Sequence, residues 1–143
     1  MPSVRVAAML PASQEKAWDT VADLARFGDW LTIHDGWRGP VPDELAAGVE
    51  LTSVVRVKAL RNRISWRIHR VDPPASLSIT GRGVGGVKVG LRLAVRPDGD
   101  TAEIAVHAEI TGPPTIGPFG VVIGRALRNE LRRSVDALTD LLG

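Results

Sequence analysis

The sequence has no cysteine and no tyrosine, and aromatic residues make up only 4% of its 143 residues. The absence of thiols excludes disulfides, thiolate metal sites and a cysteine nucleophile. No apolar run approaches the ~18 residues that are needed to cross a membrane. The first residues, Met1–Arg5, also lack the basic and long apolar segments of a signal peptide. We therefore expect a cytoplasmic protein without a membrane span.

A large excess of one charge is also missing, since 18 Lys and Arg residues stand against 16 Asp and Glu residues. Arginine outnumbers lysine 15 to 3. Arg125, Arg128, Arg132 and Arg133 cluster near the C-terminus, but acidic residues are interspersed, and Asp136 has the spacing of a helical ion pair with Arg132. This pattern favours a solvated helix face, so we expect no nucleic-acid partner.

Motifs for metal-dependent or nucleophilic chemistry are absent from the sequence. The three histidines, His34, His69 and His107, lack the close spacing that is typical of metal ligands. The glycine-rich run 83–86 lacks the Gly-Lys-Thr/Ser of a phosphate loop, and no nucleophile elbow is present. We therefore expect no metal and no cofactor, and the sequence leaves open whether the protein is an enzyme.

The N-terminal part of the chain predicts one strand and two short helices. Ser3–Leu10 alternates between apolar and other residues, as a strand does. Ser13 is suited to cap a helix over Gln14–Ala25, with Glu15 in the first turn, where the helix dipole favours an anion. Residues 26–31 then predict a second short helix or a turn.

From Val49 to Ile110, apolar residues recur at every second position in five segments, which predicts an antiparallel meander. The turns between these strands are predicted at Leu60–Asn62, at Asp72–Pro74, at the glycines 81, 83, 85 and 86, and at Asp98–Asp100. Because one face of the strands is apolar and the other is polar, the sheet covers a core on one side only.

The last segment, Pro118–Leu142, predicts an amphipathic helix about 37 Å long that covers the apolar face of the sheet. Its apolar stripe consists of Phe119, Ile123, Leu127, Leu131, Val135, Leu138 and Leu142. The order of elements predicts one α+β domain over residues 1–143. In this domain a curved antiparallel sheet wraps around the long C-terminal helix, and two short helices follow the first strand.

This order resembles the SRPBCC superfamily, which includes START lipid-transfer domains, the birch-pollen-allergen group and bacterial polyketide cyclases. The stretch from Trp18 through Val21–Leu24 to Phe27 and Trp30 is similar to the usual opening of that superfamily. The resemblance implies the helix-grip fold.

A closer resemblance is to an actinobacterial branch whose members are described as toxins of type II toxin–antitoxin pairs. It is carried by Asp29–His34, Trp37, Asn62–Trp66, Gly83–Val89 and Gly117–Gly120. This likeness implies an effect on growth and an antitoxin protein as partner. A toxin is defined by its effect on growth, so the name implies no particular chemistry.

Small residues on the apolar faces predict a gap between the sheet and the helix. Ser53, Gly81, Ala102 and Ala108 are expected to face inward, and pockets of this sort measure about 300–1,000 Å³. Tryptophans near the mouth would give a ligand a flat apolar wall and one N–H donor. The residues expected to contact a small hydrophobic ligand are Trp30, Trp37, Trp66, Ser53, Ile79, Leu91, Phe119, Ile123 and Leu127.

His34 is the candidate for acid–base chemistry, because it follows Trp30 in a predicted loop, and loops on rigid scaffolds often carry function. It would act as a general base or as a polar anchor for a ligand. We expect His69 and His107 to face outward and Arg70 to reach solvent where its strand ends. Two functions stay open: binding of a small hydrophobic molecule, and a polyketide cyclase/dehydratase-like reaction in the same pocket.

Overall fold

The computed structural model describes residues 3–42, 44–57, 60–113 and 117–143, and these residues form one antiparallel sheet and three α-helices. The strands are β1 (Ser3–Leu10), β2 (His34–Arg38), β3 (Glu50–Val57), β4 (Leu60–Asp72), β5 (Ser76–Gly83), β6 (Lys88–Asp98) and β7 (Thr101–Thr111). The helices are α1 (Gln14–Val21), α2 (Phe27–Trp30) and α3 (Pro118–Leu142).

The strands follow the order β1-β7-β6-β5-β4-β3-β2, and each neighbouring pair is antiparallel. The predicted meander is confirmed as β3 to β7. The sheet curls into a half-barrel around the C-terminal helix, which confirms the predicted α+β helix-grip fold.

The two faces of the sheet differ in burial, as the alternating sequence predicts. In β6, Val89, Leu91 and Leu93 are buried on the inner face, whereas Lys88 and Arg92 are exposed on the outer face. Helix α3 packs on the inner side and buries its apolar stripe from Ile123 to Leu142, whereas Phe119 at its start is exposed. The core therefore lies between the inner face of the sheet and α3.

The first helix is shorter than predicted. It ends at Val21 and not at Ala25, because the Asp23 carboxylate accepts a hydrogen bond from the backbone N–H of Ala25 at 3.1 Å. This bond caps a separate 3-10 turn over Leu24–Arg26. The predicted cap of α1 is confirmed, since the Ser13 hydroxyl accepts a hydrogen bond from a backbone N–H of the first turn.

Two predicted turns are wrong in position. Leu60–Asn62 belongs to β4, where Arg61 pairs with Arg56 of β3. Gly81 and Gly83 belong to β5, and the turn begins only after them. A glycine signals a turn when the backbone needs a positive φ. Gly81 and Gly83 instead lie within β5, where the absence of a Cβ leaves room for side chains of β4.

The polar residues singled out from the sequence are placed mostly as expected. Arg70 is exposed, because the β4–β5 register shifts after Ile68. His69 is exposed on the outer face, and His107 is half-buried there between Ser3 and Arg92. His34 was expected in a loop, but it begins β2.

The middle of α3 is tied to the chain that follows α2. The Thr32 hydroxyl donates to the Glu130 carbonyl at 2.9 Å, and the Thr32 N–H donates to the Ser134 hydroxyl at 2.9 Å. Ser134 is fully buried and itself donates to the Glu130 carbonyl. In the part of the chain that the structure describes, we find no helix with the length and apolar character that crossing a membrane requires.

Candidate functional site: an apolar crevice between the sheet and the last helix

An apolar crevice of about 100 Å³ opens between the inner face of the sheet and the start of α3. Branched apolar side chains provide most of its wall: Val55, Val57, Ile64, Val87, Val89, Ile110 and Ile123. Arg61 and Asn62 add two polar groups to the lining. Strand alternation places the apolar residues inward, and their common position near one end of the sheet brings them together.

Exposed apolar side chains occur on the two elements that flank the crevice. Phe119 lies one helical turn before Ile123 and is 69% exposed, and Val122 is half exposed. Val84, in the turn between β5 and β6, is 75% exposed. Asn62 holds this turn, since its side chain accepts from the Val84 N–H at 3.1 Å and donates to the Val84 carbonyl at 3.4 Å.

Arg61 is the charged group in the crevice lining that could bind a ligand. Its Nε lies 2.9 Å from a carboxylate oxygen of Asp35. A guanidinium has five N–H donors, so this ion pair leaves donors for another acceptor. The site therefore combines an apolar wall with one cationic group at its edge.

Deeper in the fold, the predicted gap is filled by Trp66. Its indole N–H donates to the Ser53 hydroxyl at 2.7 Å, and both residues are buried. A Cβ added at Gly81 would lie 2.8 Å from Trp66 Cε3 and would collide with Ile64 Cγ2. Gly81 thus makes room for the Trp66 ring and leaves no space for a guest. The described crevice is accordingly smaller than the expected 300–1,000 Å³.

Three further residues from the predicted ligand set lie in the core. Ile79, Leu91 and Leu127 are buried among the residues that join the sheet to α3. They lie outside the lining of the crevice. Among the residues expected to contact a ligand, Ile123 does line the crevice, and Phe119 lies one helical turn before it with an exposed side chain.

Trp30, Trp37 and His34 form a separate aromatic cluster with Phe27. The His34 and Trp37 rings lie 4.6 Å apart, and Phe27 contacts both of them and Trp30. The Trp37 indole N–H donates to the Leu24 carbonyl at 2.8 Å. The Trp30 indole is 1% exposed, and its N–H has no hydrogen-bond partner among the described residues. His34 and Trp37 belong to β2, and Phe27 and Trp30 belong to α2. None of the four residues contributes to the crevice lining.

Burial lowers the pKa of His34 below its ordinary value of 6.5, and the neighbouring Asp35 carboxylate opposes this shift only in part. The imidazole is therefore neutral at neutral pH and could accept a proton. A general base must lie within hydrogen-bond reach of the proton it removes. Since His34 does not line the crevice, its role as a base stays a prediction.

Sequence reasoning missed most of the crevice lining. Val55, Val57, Val87, Val89 and Ile110 are recognisable as inward apolar residues, but nothing in their type separates them from core residues. The available signal is position, because all of them lie near the strand ends that meet the start of α3. Among the described residues, no group of three or more His, Asp or Glu side chains lies close enough to hold a metal ion.

Comparison with known proteins agrees with this architecture. Residues 1–143 match the family described as "Polyketide cyclase / dehydrase and lipid transport". Among solved structures, a START superfamily protein from Mycobacterium smegmatis superposes with a TM-score of 0.78 at 16% identity, covering 99% of both chains. A protein from Thermus thermophilus gives a TM-score of 0.79 at 14% identity, covering 97% of this chain and 95% of its own.

Two relatives from Mycobacterium tuberculosis (strain H37Rv) are closer in sequence. An uncharacterized protein is 38% identical over 143 residues, which is the whole of both chains. A protein named as a toxin is 40% identical over 126 residues, which is 88% of each chain. The predicted SRPBCC membership, with its likeness to toxin-named proteins, is confirmed. The chain belongs to the polyketide cyclase / dehydrase and lipid transport family.

Proposed function

We propose that this protein binds a small amphipathic molecule whose apolar end enters the crevice between the sheet and α3. The observation that carries the proposal is the crevice itself, whose walls are branched apolar side chains and beside which the first turns of α3 expose Phe119 and Val122. Apolar clefts with a few polar groups are typical of small-molecule sites. Membership in a family described by polyketide chemistry and lipid transport supports the same class of ligand.

Arg61 would bind the polar end of the ligand. It lines the crevice, and its ion pair with Asp35 fixes the guanidinium at the edge of the apolar wall. Arginine binds carboxylates through paired N–H donors. A ligand with an apolar chain or ring and a carboxylate therefore matches both parts of the site.

The size of the crevice limits what enters it. Its volume of about 100 Å³ lies below the roughly 300–1,000 Å³ of common small-molecule pockets. A long acyl chain or a fused ring needs more room than this. The ligand would insert one end, or the first turns of α3 would shift outward.

The structure of α3 favours movement at its start over movement at its middle. Its N-cap, Gly117, provides no side-chain hydrogen bond, and the side chains of Phe119, Val121 and Val122 are exposed. The middle of the helix is held by the buried Ser134 hydroxyl. A small displacement of the first turns would enlarge the crevice with little loss of packing.

The proposal is tested by titrating tryptophan fluorescence with saturated fatty acids of increasing chain length. We expect binding that strengthens with chain length until the inserted end fills the crevice, because each buried CH₂ contributes about 0.8 kcal/mol. The variant Val89→Phe fills the crevice and should weaken binding about tenfold or more. The matched control is Val121→Phe, which adds the same ring at an exposed position of α3.

The control variant should bind fatty acids as the parent protein does. Failure of fatty acids and of aromatic polyketide-like carboxylates to bind at all would overturn the proposal. Equal binding by the parent protein and Val89→Phe would place the ligand elsewhere in the molecule.

The toxin-named relative supports a second, compatible proposal, in which this protein inhibits growth and an antitoxin protein neutralises it. Regulated expression in a bacterial host tests this directly. If the ligand of the crevice mediates the effect, Val89→Phe should relieve growth arrest and Val121→Phe should not. Growth that is unaffected by the parent protein would contradict the proposal.

A further inference from the structure

The outer face of the sheet, on the opposite side from α3, carries a groove that the crevice does not explain. A space of about 710 Å³ extends over β3, β4 and β5, and a shallower space of about 250 Å³ continues over β6 and β7. The two spaces share Thr80, Gly81 and Arg82, so they lie side by side on this face. We call the two spaces together the outer groove.

Cations dominate the outer groove. The basic residues that line it are Arg38, Arg67, Arg82, Lys88 and His69, and the acidic residues are Glu50 and Glu109. Arg82 and Lys88 are direct cross-strand partners. Arg67 is a diagonal neighbour of Arg82, because Arg82 pairs with Ser65, two residues before Arg67 on β4. Like charges directly opposite each other in a sheet are destabilising. The fold therefore carries a local electrostatic cost at this place.

The described acidic residues do not neutralise these cations. Arg61 and Arg96, also on this sheet, form ion pairs at 2.9 Å and 2.8 Å. Arg38, Arg67, Arg82 and Lys88 form none with the residues that the structure describes. Glu50 is the register partner of Arg67, yet no ion pair joins their side chains. Four charged donors thus remain available to an anion.

A glycine deepens the outer groove. Gly90 occupies an outward position near the start of β6, between Thr80 of β5 and Glu109 of β7. A Cβ added at Gly90 would meet no atom within 4 Å, so no neighbouring side chain requires a glycine there. Glycine inside a strand weakens it, and it often marks a place where a ligand approaches the backbone closely.

Hydroxyl groups complete the lining. Thr52 and Ser65 are register partners on β3 and β4, and Ser65 is in turn the partner of Arg82. The Thr80 hydroxyl is 2.6 Å from Nε2 of His69. Hydroxyls and guanidinium groups are the donors that proteins use to hold phosphate oxygens.

We propose that the outer groove binds a phosphate-bearing anion with two or more negative charges. Arg67 and Arg82 would contact the phosphate oxygens from adjacent strands, and the remainder of the anion would lie over Gly90. The volume of the groove falls within the range of small-molecule sites of about 300–1,000 Å³. The source of the phosphate is a free nucleotide-sized metabolite or the backbone of a nucleic acid, and these share the same recognition chemistry.

Isothermal titration calorimetry of the full chain tests this proposal with inorganic pyrophosphate, a nucleoside triphosphate and a short RNA as three separate probes. We expect at least one of them to bind. Binding of pyrophosphate or the triphosphate identifies a free metabolite, and binding of the RNA alone identifies a nucleic-acid backbone. Absence of binding by all three would overturn the proposal.

Two variants separate a built site from general attraction to a basic protein. Arg67→Gln with Arg82→Gln should weaken binding about tenfold or more, whereas Arg125→Gln with Arg128→Gln removes the same charge from α3 and should change affinity less than about twofold. Gly90→Val keeps every charge, suits a strand and fills the depression, so it should also weaken binding. Equal losses from the two arginine pairs, with no loss from Gly90→Val, would show non-specific attraction and overturn the proposal.

Discussion

Gly81 and Gly90 lie on adjacent strands of the same sheet, yet they face opposite sides and serve opposite purposes. At Gly81 the place of the missing side chain is taken by the Cγ2 methyl of Ile64 and the ring of Trp66. At Gly90 the missing side chain is replaced by nothing from the described residues. The inner face uses a glycine to close the core, and the outer face uses one to leave a depression.

The difference shows that a small residue predicts a cavity only when its neighbours are also small. Ser53 and Gly81 predicted an internal space, but Trp66 is large enough to fill it and hydrogen-bonds Ser53. The space that remains lies toward the start of α3, where the lining side chains are valines and isoleucines. Substitutions at Trp66, Gly81 and Gly90 test this comparison of the two faces.

The largest effect is expected from Trp66→Ala, which would empty the inner face. Removing a buried aromatic side chain costs about 3–5 kcal/mol of unfolding free energy, and the Ser53 hydroxyl would also lose its hydrogen-bond partner. Urea unfolding followed by circular dichroism measures the loss. Trp66→Phe keeps most of the ring and should lose less. A loss below about 1 kcal/mol for Trp66→Ala would contradict the tight packing described for this region.

A smaller effect is expected from the matched pair Gly81→Ala and Gly90→Ala. The methyl group at Gly81 would collide with Ile64 and press on Trp66, which should cost about 1–3 kcal/mol. The same methyl at Gly90 meets no described atom and should be neutral or stabilising by less than about 1 kcal/mol. Thermal unfolding of both variants beside the parent protein provides the comparison. Equal effects would show that the two faces are packed alike.

The smallest effect on stability is expected from His34, which belongs to the aromatic cluster of β2 and α2 and does not line the crevice. Because burial lowers its pKa in the folded state below the unfolded value of 6.5, the unfolded chain binds more protons between these two pKa values. The stabilisation is therefore present above pH 6.5 and is lost as the pH falls through the lower, folded-state pKa. The unfolding free energy of the parent protein should fall relative to His34→Gln between about pH 7 and about pH 5.

Chemical denaturation of both proteins at several pH values measures this difference. A free energy of unfolding that rises, relative to His34→Gln, as the pH falls would show that His34 gains a charge partner on folding.

Most of the fold could be predicted from the sequence because its periodicities are strong. The alternation from Val49 to Ile110 predicted the meander and its inner face, and the stripe of Pro118–Leu142 predicted α3 with the bounds that the structure shows. The errors occurred where a local signal had two meanings. Gly81 and Gly83 were interpreted as turn residues, and the Asp23 side chain ended α1 early through a bond that periodicity does not show.

The candidate site was much harder to predict. Ile123 and Phe119 were expected to meet a ligand. Ile123 lines the crevice, and Phe119 is exposed one helical turn before it. Trp66 was expected to form a wall of the pocket, but it fills the interior instead. The outer groove was not predicted at all, because Arg67, Arg82 and Lys88 lie on three different strands and become neighbours on one face only through the register.

The sequence by itself determined which residues face the core and which face water, since that choice depends on a period of two or 3.6 residues along one strand or helix. It also determined the order of the elements and hence the family. Only the tertiary structure decided where space remains, because a gap depends on side chains that different strands bring to the same point. The sequence shows that Trp66 is large and that Gly81 is small. It does not show that the Trp66 ring packs against the space left at Gly81.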